Sequence, residues 1–194
     1  YVALVNSTNI IVKDLNLTKN GQGVLIAYTT NSTIMNVNAS DNYIGIHIQH
    51  TILESSNNTV KSNILTSNQK GIESIESNDN TLTHNTITNN DWGIYLYWSS
   101  NNSIYGNNIA NNGNGTWLSM SSNNSISGNT ITNNVDGVWL EGYSNYNTIY
   151  HNYFINNTKQ VQAFISSNVW DDGYPSGGNY WSNYNGTDSY SGVY

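Results

Sequence analysis

Residues 80–96 read Asn-Thr-Leu-Thr-His-Asn-Thr-Ile-Thr-Asn-Asn-Asp-Trp-Gly-Ile-Tyr-Leu, and much of the remaining chain repeats this pattern. The glycine recurs every 22 residues, as Gly71, Gly93, Gly115 and Gly137. Before each glycine, an apolar residue lies eleven positions away, an Asn eight, and a second apolar residue six: Val60, Leu82, Ile104 and Ile126; Asn63, Asn85, Asn107 and Asn129; Leu65, Ile87, Ile109 and Ile131. A fixed period of this length indicates a repeat architecture.

The repeat extends in both directions. Earlier copies begin at Gly23 and Gly45, and a slip of four residues after Ile48 predicts a small insertion at residues 50–54. A later copy is one residue out of register and has Gln160 at the glycine position. Counting back 22 residues from Gly23 reaches Tyr1, so the sequence starts inside a repeat.

Each repeat contains three short segments of alternating apolar and polar residues, separated by Asn and Gly. Such segments predict strands and turns. A leucine-rich repeat is disfavoured, because Ile outnumbers Leu and no helical periodicity is present. The sequence therefore predicts an all-β fold, a single-stranded right-handed parallel β-helix of about seven turns of ~22 residues over residues 1–165. Residues 166–194 are predicted to form an aromatic and Gly-rich C-terminal cap, with Trp170, Tyr174, Tyr180, Trp181, Tyr184, Tyr190 and Tyr194.

Asparagines also fall in register, and stacked amides can donate to one turn and accept from the other. Three columns are predicted to form such ladders: Asn63, Asn85, Asn107, Asn129 and Asn152; Asn57, Asp79, Asn101 and Asn123; Asn90, Asn112, Asn134 and Asn157. The alternative is that these residues are surface asparagines in turns.

The composition excludes several function classes. Charged residues are 9% of the chain, with five Lys, no Arg and a net charge of −7, so nucleic-acid binding is not expected. Cysteine is absent, which removes disulfides and thiolate chemistry. No apolar run approaches the roughly 18 residues of a membrane-spanning helix.

The turn at residues 80–96 resembles the parallel β-helix repeats of the NosD-like family, in particular the Asn-rich versions in surface proteins of methanogenic archaea. The family's segment Gly-Gly-Asn-Tyr-Trp-Ser is present at residues 177–182. The resemblance covers nearly the whole chain and implies the fold, but this repeat serves many functions. The family name refers to copper, and His47-Ile-Gln-His50 is the one suggestive spacing, yet we expect neither a metal site nor a cofactor.

Residues two positions after each glycine should form an outward row along one face: Leu25, His47, Glu73, Tyr95, Trp117 and Trp139. In-line aromatic rings near carboxylates suit contact with sugar rings. The candidate carbohydrate-binding residues are Trp92, Tyr95, Tyr97, Trp98, Trp117 and Trp139. The alternative is that these rings pack on one another or on a neighbouring molecule.

Catalysis is a weaker hypothesis. Asp91, Asp136 and Glu141 are the candidate carboxylates of a polysaccharide hydrolase, which needs a pair at about 5–9 Å. A lyase is disfavoured because we expect neither Lys nor Arg on this face. The sequence leaves enzymatic activity uncertain and favours a protein without it.

Ten sequons are candidate glycosylation sites: Asn6, Asn16, Asn31, Asn38, Asn57, Asn101, Asn114, Asn123, Asn156 and Asn185.

Together these patterns predict a secreted, cell-surface structural β-solenoid, a module of a layer, sheath or filament that self-associates head to tail. The alternative is a β-helix that binds or processes a cell-surface polysaccharide through its Trp/Tyr/carboxylate face.

Overall fold

The computed structural model describes residues 1–50, 55–173 and 175–186. Residues 51–54 of the predicted insertion at 50–54, and Tyr174, Tyr190 and Tyr194 of the predicted cap, lie outside these residues. The regular elements of the described residues are all β-strands. They are β1 Val2–Val5, β2 Ile11–Thr18, β3 Gln22–Ala27, β4 Thr33–Ser40, β5 Ile44–Gln49, β6 Thr59–Lys61, β7 Ile64–Thr66, β8 Lys70–Ile75, β9 Thr81–Thr83, β10 Thr86–Thr88, β11 Trp92–Tyr97, β12 Ser103–Tyr105, β13 Asn108–Ala110, β14 Asn114–Ser119, β15 Ser125–Ser127, β16 Thr130–Thr132, β17 Asp136–Glu141, β18 Thr148–Tyr150, β19 Tyr153–Ile155, β20 Lys159–Ala163 and β21 Tyr180–Trp181.

The strands coil into a parallel β-helix of about seven turns, as the sequence predicts. One sheet has eight strands in the order β1-β3-β5-β8-β11-β14-β17-β20, and the other has thirteen. Most turns give one strand to the first sheet and two to the second. Paired residues are 22 apart in Ile94↔Thr116, 26 apart in Ile46↔Ile72 and 23 apart in Val138↔Val161. The last two pairs confirm the four-residue insertion and the later one-residue slip.

The short strands consist of triplets such as Thr81-Leu82-Thr83 and Thr86-Ile87-Thr88. The central apolar side chain is buried inside the coil, and the β-branched threonines flank it on the outside. Equivalent apolar residues of successive turns stack into columns that are almost wholly buried: Val60, Leu82, Ile104, Ile126 and Ile149; Leu65, Ile87, Ile109, Ile131 and Phe154. Burial of these columns supplies the hydrophobic stabilisation of the fold.

The glycine column exists because the backbones of neighbouring turns come too close for a side chain. A β-carbon on Gly93 would lie 2.4 Å from the carbonyl oxygen of Gly115, and one on Gly115 would lie 2.5 Å from that of Gly137. The other repeat glycines, Gly23, Gly45, Gly71 and Gly137, meet the next turn at 2.4–2.6 Å.

Two of the predicted asparagine columns form ladders. The Asn107 Nδ2 group donates to Asn129 Oδ1 at 2.9 Å, and the Asn107 Oδ1 atom accepts from the Asn85 backbone N–H at 2.9 Å. The same pattern joins Asn90 to Asn112 and Asn112 to Asn134. These amides are buried, so the ladders satisfy polar groups at the corners of the coil without charge.

The remaining predicted column is wrong by one residue. Asn57, Asp79, Asn101 and Asn123 are exposed and have φ of 56–57°. The ladder is formed by the residues that follow them, Asn58, Asn80, Asn102 and Asn124, and it continues to Asn147. A residue with left-handed backbone turns the chain, and the next side chain then points inward.

A fourth ladder, which the sequence pattern does not predict, is made of hydroxyl groups. The buried residues Thr29, Ser55, Ser77, Ser99, Ser121 and Ser144 accept or donate across turns, as in the 3.0 Å bond from the Ser99 N–H to Ser121 Oγ. Each ladder residue follows the corner after a strand of the eight-stranded sheet.

The segment after residue 166 continues parts of the repeat. Asn168 and Asn179 occupy ladder positions, accepting from Asn147 and Asn152 at 2.9 and 3.0 Å. The Trp181 ring stacks on Phe154 with centroids 4.5 Å apart, and Trp170 also packs against the core. The Gly-Gly-Asn-Tyr-Trp-Ser segment therefore provides a ladder amide and an inward aromatic ring, while the domain boundary at residue 165 stays a prediction.

Candidate functional site

The outer face of the eight-stranded sheet differs chemically from the outside of the other sheet. Outward positions of the thirteen-stranded sheet are mostly Thr, Ser and Asn, as in β9, β10, β15 and β16. The outer face of the eight-stranded sheet carries large aromatic and ionisable side chains. Its central column is in the predicted register: Leu25, His47, Glu73, Tyr95, Trp117, Trp139 and Gln162.

The expectation that this face has no Lys is wrong. Lys70 is the first residue of β8, in register with Ile44 and Trp92, and its ammonium group lies 4.7 Å from the Trp92 ring centroid and 5.2 Å from that of Tyr95. Lys159 shares this column, in register with Asp136. Two positions of each such strand therefore face outward: the residue before the glycine and the residue two after it. This is possible because the glycine itself is not paired with the neighbouring turn.

Three ionisable residues form a buried group on this face. Glu73 accepts from the Lys70 ammonium through Oε1, and its Oε2 lies 3.4 Å from His47 Nε2. The other ring nitrogen of His47, Nδ1, lies 2.8 Å from Gln22 Nε2. The contact between His47 and Glu73 is an ion pair only when the imidazole is protonated, and its geometry does not make a hydrogen bond. Glu73 therefore forms one ion pair that does not depend on the protonation of His47, the pair with Lys70. A buried charged residue on an outer face marks a candidate functional site.

Two pKa shifts accompany this group. Burial is the main cause that lowers the pKa of His47 below its ordinary value, with Lys70 acting in the same direction and Glu73 against it. Burial also raises the pKa of Tyr95 to about 12, with smaller contributions from Glu73, Tyr97 and Glu141. At neutral pH the Tyr95 hydroxyl and the His47 imidazole are both uncharged.

We expect the stability of the protein to fall as the pH drops below about 6.5, the ordinary pKa of His. The unfolded chain then takes up a proton at His47 that the folded chain resists, which favours unfolding. Above that pH the effect is absent. Urea unfolding of the wild type and of His47→Gln between pH 7 and 5 should show a smaller loss for the variant. The matched control is exposed His84→Gln, and equal losses for His47→Gln and the wild type would contradict the prediction.

The aromatic residues of the face pack mainly on one another. The Trp117 and Trp139 rings stack with centroids 5.1 Å apart at 18°, and Trp92 meets Trp117 edge to face at 4.9 Å. Tyr95 lies between Trp92 and Trp117, 5.0 Å from the latter. Sugar stacking on Trp117 and Trp139 is thus limited by rings that already cover them, whereas Trp98 is 54% exposed.

Of the three candidate carboxylates, Asp136 and Glu141 are not arranged as a hydrolase pair. Asp136 and Glu141 are the first and last residues of β17, which separates them by roughly 16 Å at about 3.3 Å per residue. Asp136 is buried and accepts from Gln162 Nε2 at 2.6 Å. Asp91 is exposed and lies two turns away, roughly 10 Å along the coil.

The four histidines hold separate positions. His50 contacts the carbonyl of Glu76 at 3.2 Å, whereas His84 and His151 have φ of 53–54° at equivalent corners. Across residues 1–50, 55–173 and 175–186, no group of three or more His, Asp or Glu side chains could hold a metal ion. Likewise, no helix there is long and apolar enough to cross a membrane.

Most predicted sequons lie on accessible corners. Asn6, Asn16, Asn31, Asn57, Asn101, Asn123, Asn156 and Asn185 are exposed, while Asn38 and Asn114 are half-buried. The Asn38 Oδ1 atom is buried and has no hydrogen-bond partner among the described residues.

Several solved structures share this fold. The A-module of the mannuronan C-5 epimerase AlgE4 of Azotobacter vinelandii matches with a TM-score of 0.72 and 18% identity, over 84% of this chain and 58% of that one. The AlgE6 A-module of the same organism gives 0.68 and 18%, over 87% and 57%. The periplasmic alginate epimerase AlgG gives 0.54 and 15%, over 87% and 49%. The likeness shows the fold alone, and this chain spans under two thirds of each structure. No curated protein matches the chain.

The family model described as "Periplasmic copper-binding protein (NosD)" matches residues 1–186. Copper would need imidazole, thiolate or thioether ligands brought together. The chain has no Cys, and the described histidines are dispersed, with both ring nitrogens of His47 facing Gln22 and Glu73. These residues do not fit a copper centre. The match nevertheless covers nearly all of the sequence, and the chain belongs to the NosD family.

Proposed function

We propose that the protein is an extracytoplasmic β-helix that binds a polysaccharide along the outer face of its eight-stranded sheet. The observation that supports this most strongly is the unbroken column of ionisable and aromatic side chains along that sheet, from His47 and Glu73 through Tyr95 to Trp117 and Trp139. A straight face with equivalent positions repeated about every 4.8 Å suits an extended polymer with repeating units.

Two further facts support a sugar ligand. Tyr, Trp and carboxylate side chains together offer flat apolar surface and hydrogen-bond acceptors, as a sugar ring requires. The solved structures of similar fold include proteins whose names refer to mannuronan and alginate. Extracytoplasmic location agrees with the description of the family as periplasmic.

Binding is favoured over catalysis. Asp136 and Glu141 lie too far apart for the hydrolase pair, and His47 and Glu73 are buried. Catalytic groups must reach the bond that reacts, whereas buried groups can still shape and stiffen a binding face.

A matched pair of tyrosine variants tests the proposal. Tyr97 is the last residue of β11 in the eight-stranded sheet, in register with Ile75, and Tyr105 is 40% exposed on the other sheet. Tyr97→Ala should weaken polysaccharide binding about tenfold, which corresponds to about 1.4 kcal/mol. Tyr105→Ala should leave it unchanged in isothermal titration with a panel of soluble polysaccharides. Equal affinity of the two variants, or no binding by the wild type, would refute the proposal.

A structural role in a cell-surface layer, sheath or filament is the second candidate function. It is favoured by exposed apolar side chains such as Ile64 and Val135, which are 50% and 54% exposed and suit contact with another molecule. Head-to-tail stacking is opposed by Trp170 and Trp181, which cover part of the core at the other end. Filaments in electron micrographs of the purified protein would support this role, with glycosylation of the exposed sequons as a compatible feature.

A further inference from the structure

One corner of the coil carries bulky residues where the backbone favours small polar ones. Each turn has up to four positions with positive φ. At three of the corners these positions are mostly Asn, Asp and Ser. At the corner that follows the eight-stranded sheet, five of the seven are large and apolar, with φ of 50–66°. We call these five the aromatic corner: Tyr28, Trp98, Met120, Tyr143 and Ile165.

The fold explains the backbone of the aromatic corner but not its side chains. Positive φ is required there because the next residue, such as Ser99 after Trp98, turns into the hydroxyl ladder. Asn would meet that requirement with less strain than Trp, Tyr or a β-branched residue.

Burial does not offset this strain at three of the five positions, whereas Tyr28 and Met120 are half-buried. Trp98, Tyr143 and Ile165 are 54%, 69% and 72% exposed. A strained residue at a position where a less strained choice exists tends to mark a functional position.

We propose that the aromatic corner is the stacking platform for a neutral polysaccharide, with Trp98 and Tyr143 as its main rings. This rests on the proposed function and names its ligand class. Tyr97 approaches Trp98 edge to face at 6.3 Å, unlike the Trp117–Trp139 pair, whose faces cover each other. Trp98 and Tyr143 lie two turns apart, roughly 10 Å along the coil.

The charges near the platform favour a neutral polymer. Glu76 occupies the equivalent corner one turn before Trp98, and Glu141 ends β17 two residues before Tyr143. Carboxylates accept hydrogen bonds from sugar hydroxyls and repel a polymer of uronic acids. The Lys70 ammonium is already paired with Glu73 on the neighbouring face.

The test compares corner rings with a ring of the central column. In Trp98→Asn/Tyr143→Asn both rings are lost while the new residues tolerate positive φ. Cellohexaose, mannohexaose and an alginate hexamer are titrated into the wild type, the double variant and Trp117→Leu. We expect a neutral hexaose to bind the wild type at least tenfold more tightly than alginate does. The double variant should lose at least tenfold affinity for it with an unchanged or higher Tm, whereas Trp117→Leu should lower Tm and lose less affinity than the double variant does.

The outcomes separate the two proposals. Unaltered affinity in the double variant, or a preference for alginate, would overturn the platform and leave polysaccharide binding standing. No binding of any of the three oligosaccharides by the wild type, followed by none in the larger polysaccharide panel, would overturn both. A lower Tm of the double variant would overturn the argument from strain.

Discussion

Gly93→Ala should destabilise the protein by about 3 kcal/mol or more, at the upper end of what overpacking costs. The added methyl group would lie 2.4 Å from the Gly115 carbonyl oxygen, and 3.2 Å from both Asn112 Nδ2 and Ile109 Cγ2. The carbonyl is backbone and is fixed in the parallel ladder, so relief requires neighbouring turns to separate. Urea denaturation with constant m-value gives the change directly.

Gly21→Ala is the matched control for this substitution. A β-carbon on Gly21 meets no atom within 4 Å, and its φ is not in the left-handed region. We expect its stability to stay within about 0.5 kcal/mol of the wild type, as for most surface changes. Equal effects at the two glycines would mean that the turns do not stack as described.

Asn107→Ala should have the second large effect, a loss of roughly 3–5 kcal/mol. The side chain donates to Leu82 O, Tyr105 O and Asn129 Oδ1, and accepts from Asn85. Its removal leaves the buried Asn85 backbone N–H without a partner, and each buried orphan group costs about 1–3 kcal/mol. Thermal and urea unfolding measure the loss.

Two further variants make the ladder prediction specific. Asn108→Ala alters the neighbouring exposed residue on β13 and should be close to neutral. Asn107→Asp keeps the shape but replaces the donating NH₂ group with oxygen, so it should be at least as damaging at neutral pH. A stable Asn107→Ala protein, with unfolding like that of Asn108→Ala, would contradict the ladder.

The sequence predicts the coil because its signals are strictly periodic. Gly93 and its equivalents recur every 22 residues, and each sits where a side chain is sterically excluded. The ladder through Asn107 is found in the same way. The pattern predicts the other ladder one residue too early, because most turns have two consecutive asparagines there. The sequence distinguishes the two positions. The first is not always Asn, since it is Asp79 in one turn and Tyr146 in another, whereas the second is Asn in both, as Asn80 and Asn147.

The sequence predicts only part of the candidate functional face. Periodicity gives the central column with His47, Glu73 and Tyr95, but it does not show that the pairing skips each glycine and brings Lys70 onto the face. Nor does it show that Trp117 and Trp139 cover each other, because ring orientation depends on packing between turns. The sequence also does not show that the bulky residues of the aromatic corner have positive φ, because this depends on the backbone conformation.

The central claim is that one face of the coil, bounded by the aromatic corner, is the surface on which a polysaccharide lies. The most direct measurement is an NMR titration of the isotope-labelled protein with the tightest-binding hexaose. We expect the amide chemical shifts of β8, β11, β14 and β17 and of Trp98 and Tyr143 to change, and those of β9, β12 and β15 to stay unchanged. Shifts concentrated on the thirteen-stranded sheet, or none at saturating hexaose, would contradict it.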